Sequence, residues 1–83
     1  MLYLISYDLI GKSFDQYEDL IKELERLGAR RVLLSEWVWR SENTSVEIRD
    51  HVRLFMHPND RLLVSEITTN WASINVLYDI NNM

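Results

Sequence analysis

The sequence predicts a single α+β domain, in which two helices lie on one face of an antiparallel sheet. Stretches rich in β-branched and aromatic residues alternate with stretches whose apolar residues recur at helical spacing. The 83 residues are 47% hydrophobic and 27% charged, which is typical of one small globular domain over residues 1–83. There is no cysteine. A disulfide framework and a thiolate metal site are therefore excluded.

The first predicted strand runs from Leu2 to Asp8 and organises the rest of the sheet. Leu2 and Leu4 point to one face, whereas Tyr3 and Ile5 point to the other. Because both faces of this strand are apolar, we expect it to be central in the sheet and covered on both sides.

The first predicted helix spans Phe14 to Leu27 and has the clearest signal in the chain. Ser13 and Gln16 have the spacing of a capping box, and Gly28 stands where a helix commonly stops. Its apolar residues share one side, so the helix should lie across one face of the sheet. These residues are Tyr17, Leu20, Ile21, Leu24 and Leu27.

Ala29 to Arg40 is predicted to be extended, since β-branched and aromatic residues dominate it. The pattern fits either one long bent strand or two short strands joined by a tight turn at Ser35 and Glu36. Trp37 and Trp39 fall on one face. Two tryptophans on one face favour core or interface, with a base-stacking platform as the alternative.

A second helix is predicted after Thr44, which forms a capping box with Glu47. The helix should run to about Phe55 or Met56, because Pro58 prevents its continuation. Three further segments follow: a strand at Arg61–Ile67, a weaker strand at Trp71–Tyr78 and a frayed end at Asp79–Met83.

This order of elements is that of a ferredoxin-like βαββαβ domain with an extra C-terminal strand. Two helices cover only one face of such a sheet, but the strands carry apolar residues on both faces. A large apolar sheet face left in water is unusual for a monomer. We therefore expect a homodimer that packs through the open sheet face.

The net charge of −4 argues against a protein that coats nucleic acid by bulk electrostatics. A local basic patch remains compatible with it, and Arg30, Arg31 and Arg40 are the predicted nucleic-acid contacts. The alternative is that these arginines are scattered and solvated. No basic leader or long apolar run opens the chain, so we expect a cytoplasmic protein without a membrane span.

Several short motifs resemble the small CRISPR-associated proteins of the Cas-two type. They are Tyr7-Asp8 at the end of the first strand, Arg31-Val32 leading to Ser35, and the run Asn59–Val64. The Ser35–Val38 stretch and the Asn59–Val64 run are more similar to the SinR-like branch, which also resembles virulence-associated protein D. The resemblance covers Met1 to about Val76.

The resemblance implies a ferredoxin-like homodimer. In some Cas-two-type members the aspartate that ends the first strand is associated with a divalent metal and nuclease activity, and Asp8 is the residue that matches it. Other members act as non-catalytic nucleic-acid-binding dimers during spacer acquisition. The first helix departs from the CRISPR pattern, because acidic residues dilute its basic ones.

As a functional residue, Asp8 would be a catalytic metal ligand. Mg²⁺ accepts one or two carboxylates together with waters and phosphate oxygens, and a two-fold axis would bring two Asp8 side chains together. Glu36 and Asp60 are expected near the same strand end. The alternative is that Asp8 caps the turn before the first helix through backbone N–H groups near Gly11–Ser13.

No other catalytic constellation is predicted. His51 falls beside exposed helix charges and His57 in a proline-containing turn, so neither fits a general base, and with two glycines there is no phosphate-binding loop. Three functions follow: a nucleic-acid-associated homodimer with or without weak metal-dependent endonuclease activity, an interaction module for a basic protein partner, and a purely structural dimer.

Overall fold

The computed structural model describes residues 1–11, 17–68 and 70–83. These residues form an α+β domain with two α-helices and a four-stranded antiparallel sheet, consistent with a ferredoxin-like fold. In chain order the elements are β1 (Leu2–Asp8), α1 (Glu18–Leu27), β2 (Arg30–Leu33), β3 (Glu36–Arg40), α2 (Ser45–Val52) and β4 (Arg61–Ile67), with 3₁₀ turns at Arg53–Phe55 and Ile80–Asn82.

β1 is central, as predicted, in a sheet of order β2-β3-β1-β4. Its first residue lies opposite Arg40 of β3 and Ile67 of β4, and its last residue, Asp8, lies opposite Arg61. The strand is therefore hydrogen-bonded on both sides, which leaves β2 and β4 as the two edges of the sheet.

The segment Ala29–Arg40 forms two strands, so the alternative of one bent strand is wrong. The turn between them is at Leu34–Ser35, one residue earlier than the predicted position. The β2–β3 register shifts between Arg31 and Leu33, and Val32 has no partner residue in β3. Such a bulge bends a strand without any glycine or proline in the sequence.

The helix boundaries follow local sequence signals. Gly28 has a φ of 94°, the left-handed conformation that ends α1 at the predicted place. Thr44 accepts the Glu47 N–H at 3.1 Å while the Glu47 carboxylate accepts the Thr44 N–H at 2.9 Å, so the capping box of α2 is confirmed. The capping box predicted at Ser13 and Gln16 lies outside the described residues.

The main core lies between the sheet and the two helices. Tyr3, Ile5 and Tyr7 of β1 face this core together with Trp37 of β3. Leu20 and Leu24 of α1, and Ile48 and Val52 of α2, cover them. Both helices therefore pack on the same face of the sheet, as predicted. Among the described residues, no helix has the length and apolarity needed to cross a bilayer.

The opposite face of the sheet carries a second, smaller apolar cluster of Leu2, Val32 and Val38. Tyr78, Ile80 and Met83 pack against it, so the C-terminal segment 70–83, called here the tail, crosses this face. The Leu77 N–H donates to the Val32 carbonyl at 2.9 Å and fixes the tail to β2. Part of the face expected to be open is thus covered from within the same chain.

Two predictions for the tail are wrong. No strand forms at 71–78, because Asn75 adopts a φ of 56° and breaks the extended run before a ladder is made. The end is not frayed either, since Asp79 caps a 3₁₀ turn at Ile80–Asn82 through the Asn81 N–H at 3.0 Å. The apolar side chains that suggested a strand instead rest irregularly on the sheet.

Candidate nucleic-acid interface

Asp8 ends β1 on the sheet face opposite the helices, with its side chain 64% exposed. The Arg61 guanidinium lies 3.7 Å from its carboxylate, across the β1–β4 ladder. A largely hydrated pair of this kind contributes little to stability, about 0–1 kcal/mol. Asp8 is therefore accessible, and a cation of the protein itself already neutralises it.

Asp60, not Asp8, holds the turn after the first strand. The Asp60 carboxylate accepts the Ile10 N–H at 2.8 Å, the Gly11 N–H at 2.9 Å and the Tyr17 hydroxyl at 2.8 Å. Its other oxygen accepts the His57 N–H at 2.8 Å. The Gly11 N–H expected to bind Asp8 is thus taken by the carboxylate of a neighbouring loop, and the other positions expected to bind Asp8, 12 and 13, lie outside the described residues.

Burial of the Asp60 carboxyl raises its pKa, but the hydrogen bonds from Tyr17, Gly11, His57 and Ile10 outweigh this, and the pKa lies below its usual range.

The packing of this loop against His57 leaves no room for a side chain at Gly11. A Cβ placed on Gly11 would lie 2.2 Å from the His57 ring. The sequence signal for this site was Asn59-Asp60 after Pro58, an Asx turn whose partner loop cannot be read from spacing.

Glu36 lies beside β1 on the face that bears Asp8, since the Ser6 hydroxyl donates to its carboxylate at 3.1 Å. The three expected carboxylates therefore gather around one end of β1, but with separate partners. Among the described residues, no three histidine, aspartate or glutamate side chains could share one metal ion. Mg²⁺ commonly binds through one or two carboxylates together with waters and phosphate oxygens, and the exposed Asp8 could supply one such carboxylate.

The basic side chains fall into two groups, those that lie close to a carboxylate side chain and those that do not. Five basic side chains each lie within 4.0 Å of a carboxylate: Lys22, Arg26, Arg49, Arg53 and Arg61. Within the described ranges, Arg30, Arg31 and Arg40 lie within 4.0 Å of no aspartate or glutamate side chain. These are the three residues predicted to contact nucleic acid.

Arg30 and Arg40 lie together on the face that carries the tail. Arg30 is opposite Val38 in the β2–β3 register, and Arg40 is two residues further along β3. The Arg30 guanidinium lies over the Tyr78 ring, 5.7 Å from its centroid. Arg40 donates to the main-chain oxygen of Met83 at 3.2 Å. Two arginines that have no aspartate or glutamate partner among the described residues thus form one surface with an aromatic ring, called here the arginine surface.

Arg31 is separated from this pair, because adjacent strand residues point to opposite faces. Its guanidinium lies over the Trp37 ring at 4.9 Å from the centroid and reaches the Tyr7 hydroxyl at 3.5 Å. The Arg31 Nε is buried and has no hydrogen-bond partner in the part of the chain that is described. Trp37 donates to the same Tyr7 hydroxyl at 2.8 Å.

The tryptophan pair belongs to the core. Trp37 is 3% exposed, and Trp39 is half-buried against the same cluster beneath the helices. The core reading of this pair is confirmed, and the structure gives no base-stacking platform on β3. The aromatic ring available beside exposed arginines is Tyr78, which was predicted as part of a strand.

Sequence reasoning missed the link between the two helices. The Glu23 carboxylate receives two hydrogen bonds from Arg26, each 2.7 Å long, and lies 2.6 Å from His51 Nε2. The hydrogen bonds from Arg26 and then His51 lower the pKa of Glu23 to about 2. His51 therefore links α2 to α1 through the Glu23 carboxylate.

No protein-family model matches this chain.

Proposed function

We propose that this protein is a small homodimeric nucleic-acid-binding protein of the SinR-like branch of the Cas-two-like ferredoxin-fold proteins. The carrying observation is that Arg30, Arg31 and Arg40 lack an aspartate or glutamate partner among the described residues, whereas five other basic side chains have one. The element order βαββαβ and the sheet order β2-β3-β1-β4 support the ferredoxin-like part of this proposal.

Uncompensated arginines matter because the net charge of the chain is −4. An acidic protein attracts phosphates only where its cations are not neutralised by neighbouring carboxylates. The arginine surface meets this condition and adds the Tyr78 ring. Arginine binds phosphate through two parallel N–H groups, and aromatic rings stack on unpaired bases. This chemistry favours single-stranded nucleic acid.

The binding test compares two pairs of exposed arginines. Arg30→Ala/Arg40→Ala removes the arginine surface, and Arg49→Ala/Arg53→Ala removes the same charge from the neutralised pairs with Asp50. Fluorescence anisotropy with single-stranded RNA, single-stranded DNA and duplex DNA should show at least tenfold weaker binding for the first variant only. The salt slope of log K should fall by about 0.7 per lost phosphate contact on a single strand.

Equal losses in the two double variants would show that binding reflects net charge alone and would contradict the proposal. Absence of salt-dependent binding by the natural chain would do the same. In that case, co-purification of a basic protein would favour the alternative of an interaction module.

The homodimer part of the proposal rests on the sheet face opposite the helices, in the region that the tail leaves uncovered. Leu63 on this face is 61% exposed, and Asp8 and Arg61 lie beside each other there. A patch that holds one acid and one base next to an apolar side chain is complementary to itself under a two-fold axis. Ile74 and Leu77 of the tail are also exposed, at 82% and 62%, and extend the apolar area.

The oligomeric state tests this part directly. Light scattering after size-exclusion chromatography should give the dimer mass for the natural chain and the monomer mass for Leu63→Asp. Leu54→Asp is the matched control, since Leu54 is 74% exposed on the helix side. A natural chain that is monomeric at high protein concentration would overturn the homodimer proposal.

Endonuclease activity is a separate proposal, and we place its metal at the dimer axis. One chain supplies the exposed carboxylate of Asp8, and a two-fold axis would bring the Asp8 of a second copy to the same ion. Cleavage of RNA and DNA should be measured for the natural chain and Asp8→Ala side by side, with and without Mg²⁺. Identical products from both proteins would indicate a contaminating nuclease and end the catalytic proposal.

A further inference from the structure

A groove of about 840 Å³ lies between α1 and the β2–β3 hairpin, on the sheet face opposite the arginine surface. Its apolar wall includes Ile10, Ile21 and Leu34, and Tyr7 and Arg31 line it as well. Leu34 is 80% exposed and Ile10 is 57% exposed, so the wall is open to water. Grooves of this volume and composition are typical of small-molecule sites.

Among the charged residues that line the groove, Glu25 and Arg31 have no oppositely charged partner in the described part of the chain. Lys22 lies 2.9 Å from Glu18. Asp8 is neutralised by Arg61 at 3.7 Å. Arg31 has only the Trp37 ring and a long 3.5 Å contact with the Tyr7 hydroxyl. A guanidinium held over an aromatic ring, without a counter-ion among the described residues, provides an anchor for an anion.

The groove joins this anchor to an apolar wall and an aromatic side chain. An inorganic anion would contact only the Arg31 guanidinium and would leave the apolar wall exposed to water. A planar aromatic group would cover the wall, and an attached phosphate would reach the guanidinium. Glu25 also lines the groove and offers its carboxylate to the exocyclic amino group of a base such as adenine. A nucleoside monophosphate satisfies all three features.

We infer that this groove binds a single nucleotide, with its base against the wall formed by Ile10, Ile21 and Leu34 and its phosphate on Arg31. This inference deepens the proposed function and rests on it. Arg30 and Arg31 are adjacent in the edge strand β2 and point to opposite faces. One strand of nucleic acid that passes over this edge would meet the arginine surface and place its next nucleotide in the groove.

Titration of the natural chain with adenosine monophosphate, adenosine and inorganic phosphate tests the inference without any substitution. Calorimetry and tryptophan fluorescence both apply, since Trp37 lies under the Arg31 guanidinium. The monophosphate should bind saturably, and adenosine and phosphate should each bind at least tenfold more weakly. Phosphate binding as tight as that of the monophosphate would overturn the inference, as would no saturable binding.

Two matched substitutions locate the site. Arg31→Met should weaken binding of the monophosphate at least tenfold, whereas Arg30→Met on the other face should change it less than twofold. Leu34→Gln removes part of the apolar wall and should weaken binding, and Leu34→Glu should weaken it further because it also repels the phosphate; the exposure of Leu34 makes both variants compatible with folding. Equal effects of Arg31→Met and Arg30→Met would refute the groove as the site.

The outcomes separate this inference from the proposed function. If the monophosphate fails to bind but Arg30→Ala/Arg40→Ala still abolishes strand binding, only the groove assignment is wrong. If the natural chain binds no single strand but binds the monophosphate, the proposed function fails and the groove is a site for free nucleotide.

Discussion

The two faces of the sheet are covered by different means. On one face, two helices pack on the sheet and form a core in which Ile5 of β1 and Leu24 of α1 are each 0% exposed. On the other face, a tail without strand or α-helix covers a three-residue cluster around Val38. The helix face is therefore a packed core, and the tail face is a partial cover whose remaining area stays in water.

The contrast explains where charged and apolar side chains remain exposed. Helices with a periodic apolar stripe cover a sheet face evenly. The tail covers the end of the sheet around Leu2 and leaves the end around Leu63 and Asp8 exposed. The proposed dimer contact lies at the uncovered end, and the arginine surface lies along the covered end.

The largest effect should come from the helix face. Leu24→Ala removes a fully buried side chain and should lower the free energy of unfolding by about 2–5 kcal/mol, measured by urea denaturation. Leu54→Ala, at a position 74% exposed, should change it by less than about 0.5 kcal/mol. Similar losses from the two variants would show that the helix face is not the main core.

The next effect concerns the two aspartates near the end of β1. Asp60→Ala leaves four donors without their acceptor and should cost about 2–3 kcal/mol in thermal or urea unfolding. Asp8→Ala removes one exposed pair and should cost less than about 1 kcal/mol. A larger loss for Asp8→Ala would reverse the roles assigned to these carboxylates.

A smaller loss is expected on the tail face. Ile80 is only half-buried against Leu2, Val32 and Val38, so Ile80→Ala should lower the free energy of unfolding by about 1 kcal/mol. The same urea series measures it. A loss as large as that of Leu24→Ala would mean that the two faces contribute equally to the free energy of unfolding. The tail face would then be a packed core like the helix face.

The smallest effect is the pH dependence of the link between the helices. The pKa of Glu23 falls from 4.5 to about 2 on folding, first through Arg26 and then through His51. Its contribution is complete above pH 4.5 and is lost as the pH falls towards 2. The difference in melting temperature between the natural chain and Glu23→Gln should therefore become smaller as the pH falls. A difference that stays constant would contradict the role assigned to Glu23.

Much of the helix face could be predicted from the sequence, because its signals are local. The strands at Leu2–Asp8 and Arg61–Ile67, the Thr44 capping box and the stop at Gly28 all depend on spacing within a few residues. The tail could not be predicted, since its alternating apolar residues suit a strand equally well and a single left-handed Asn75 decides between the two.

The site was predictable in part for the same reason. A carboxylate after a strand suggests a turn cap, but Asp60 and the loop it holds are about fifty residues apart, and sequence spacing cannot reveal that pairing. The three arginines were named from their clustering and position. Their lack of carboxylate partners among the described residues depends on the fold.

The hydrogen bond from Leu77 to Val32 has a consequence for growth of the sheet. Edge strands invite pairing with further chains, and proteins avoid open-ended fibres by blocking an edge. Here the tail occupies β2, while β4 pairs with β1 alone among the described residues. The tail thus obstructs β2 at Val32, so a further strand added to this sheet would have to pair with β4.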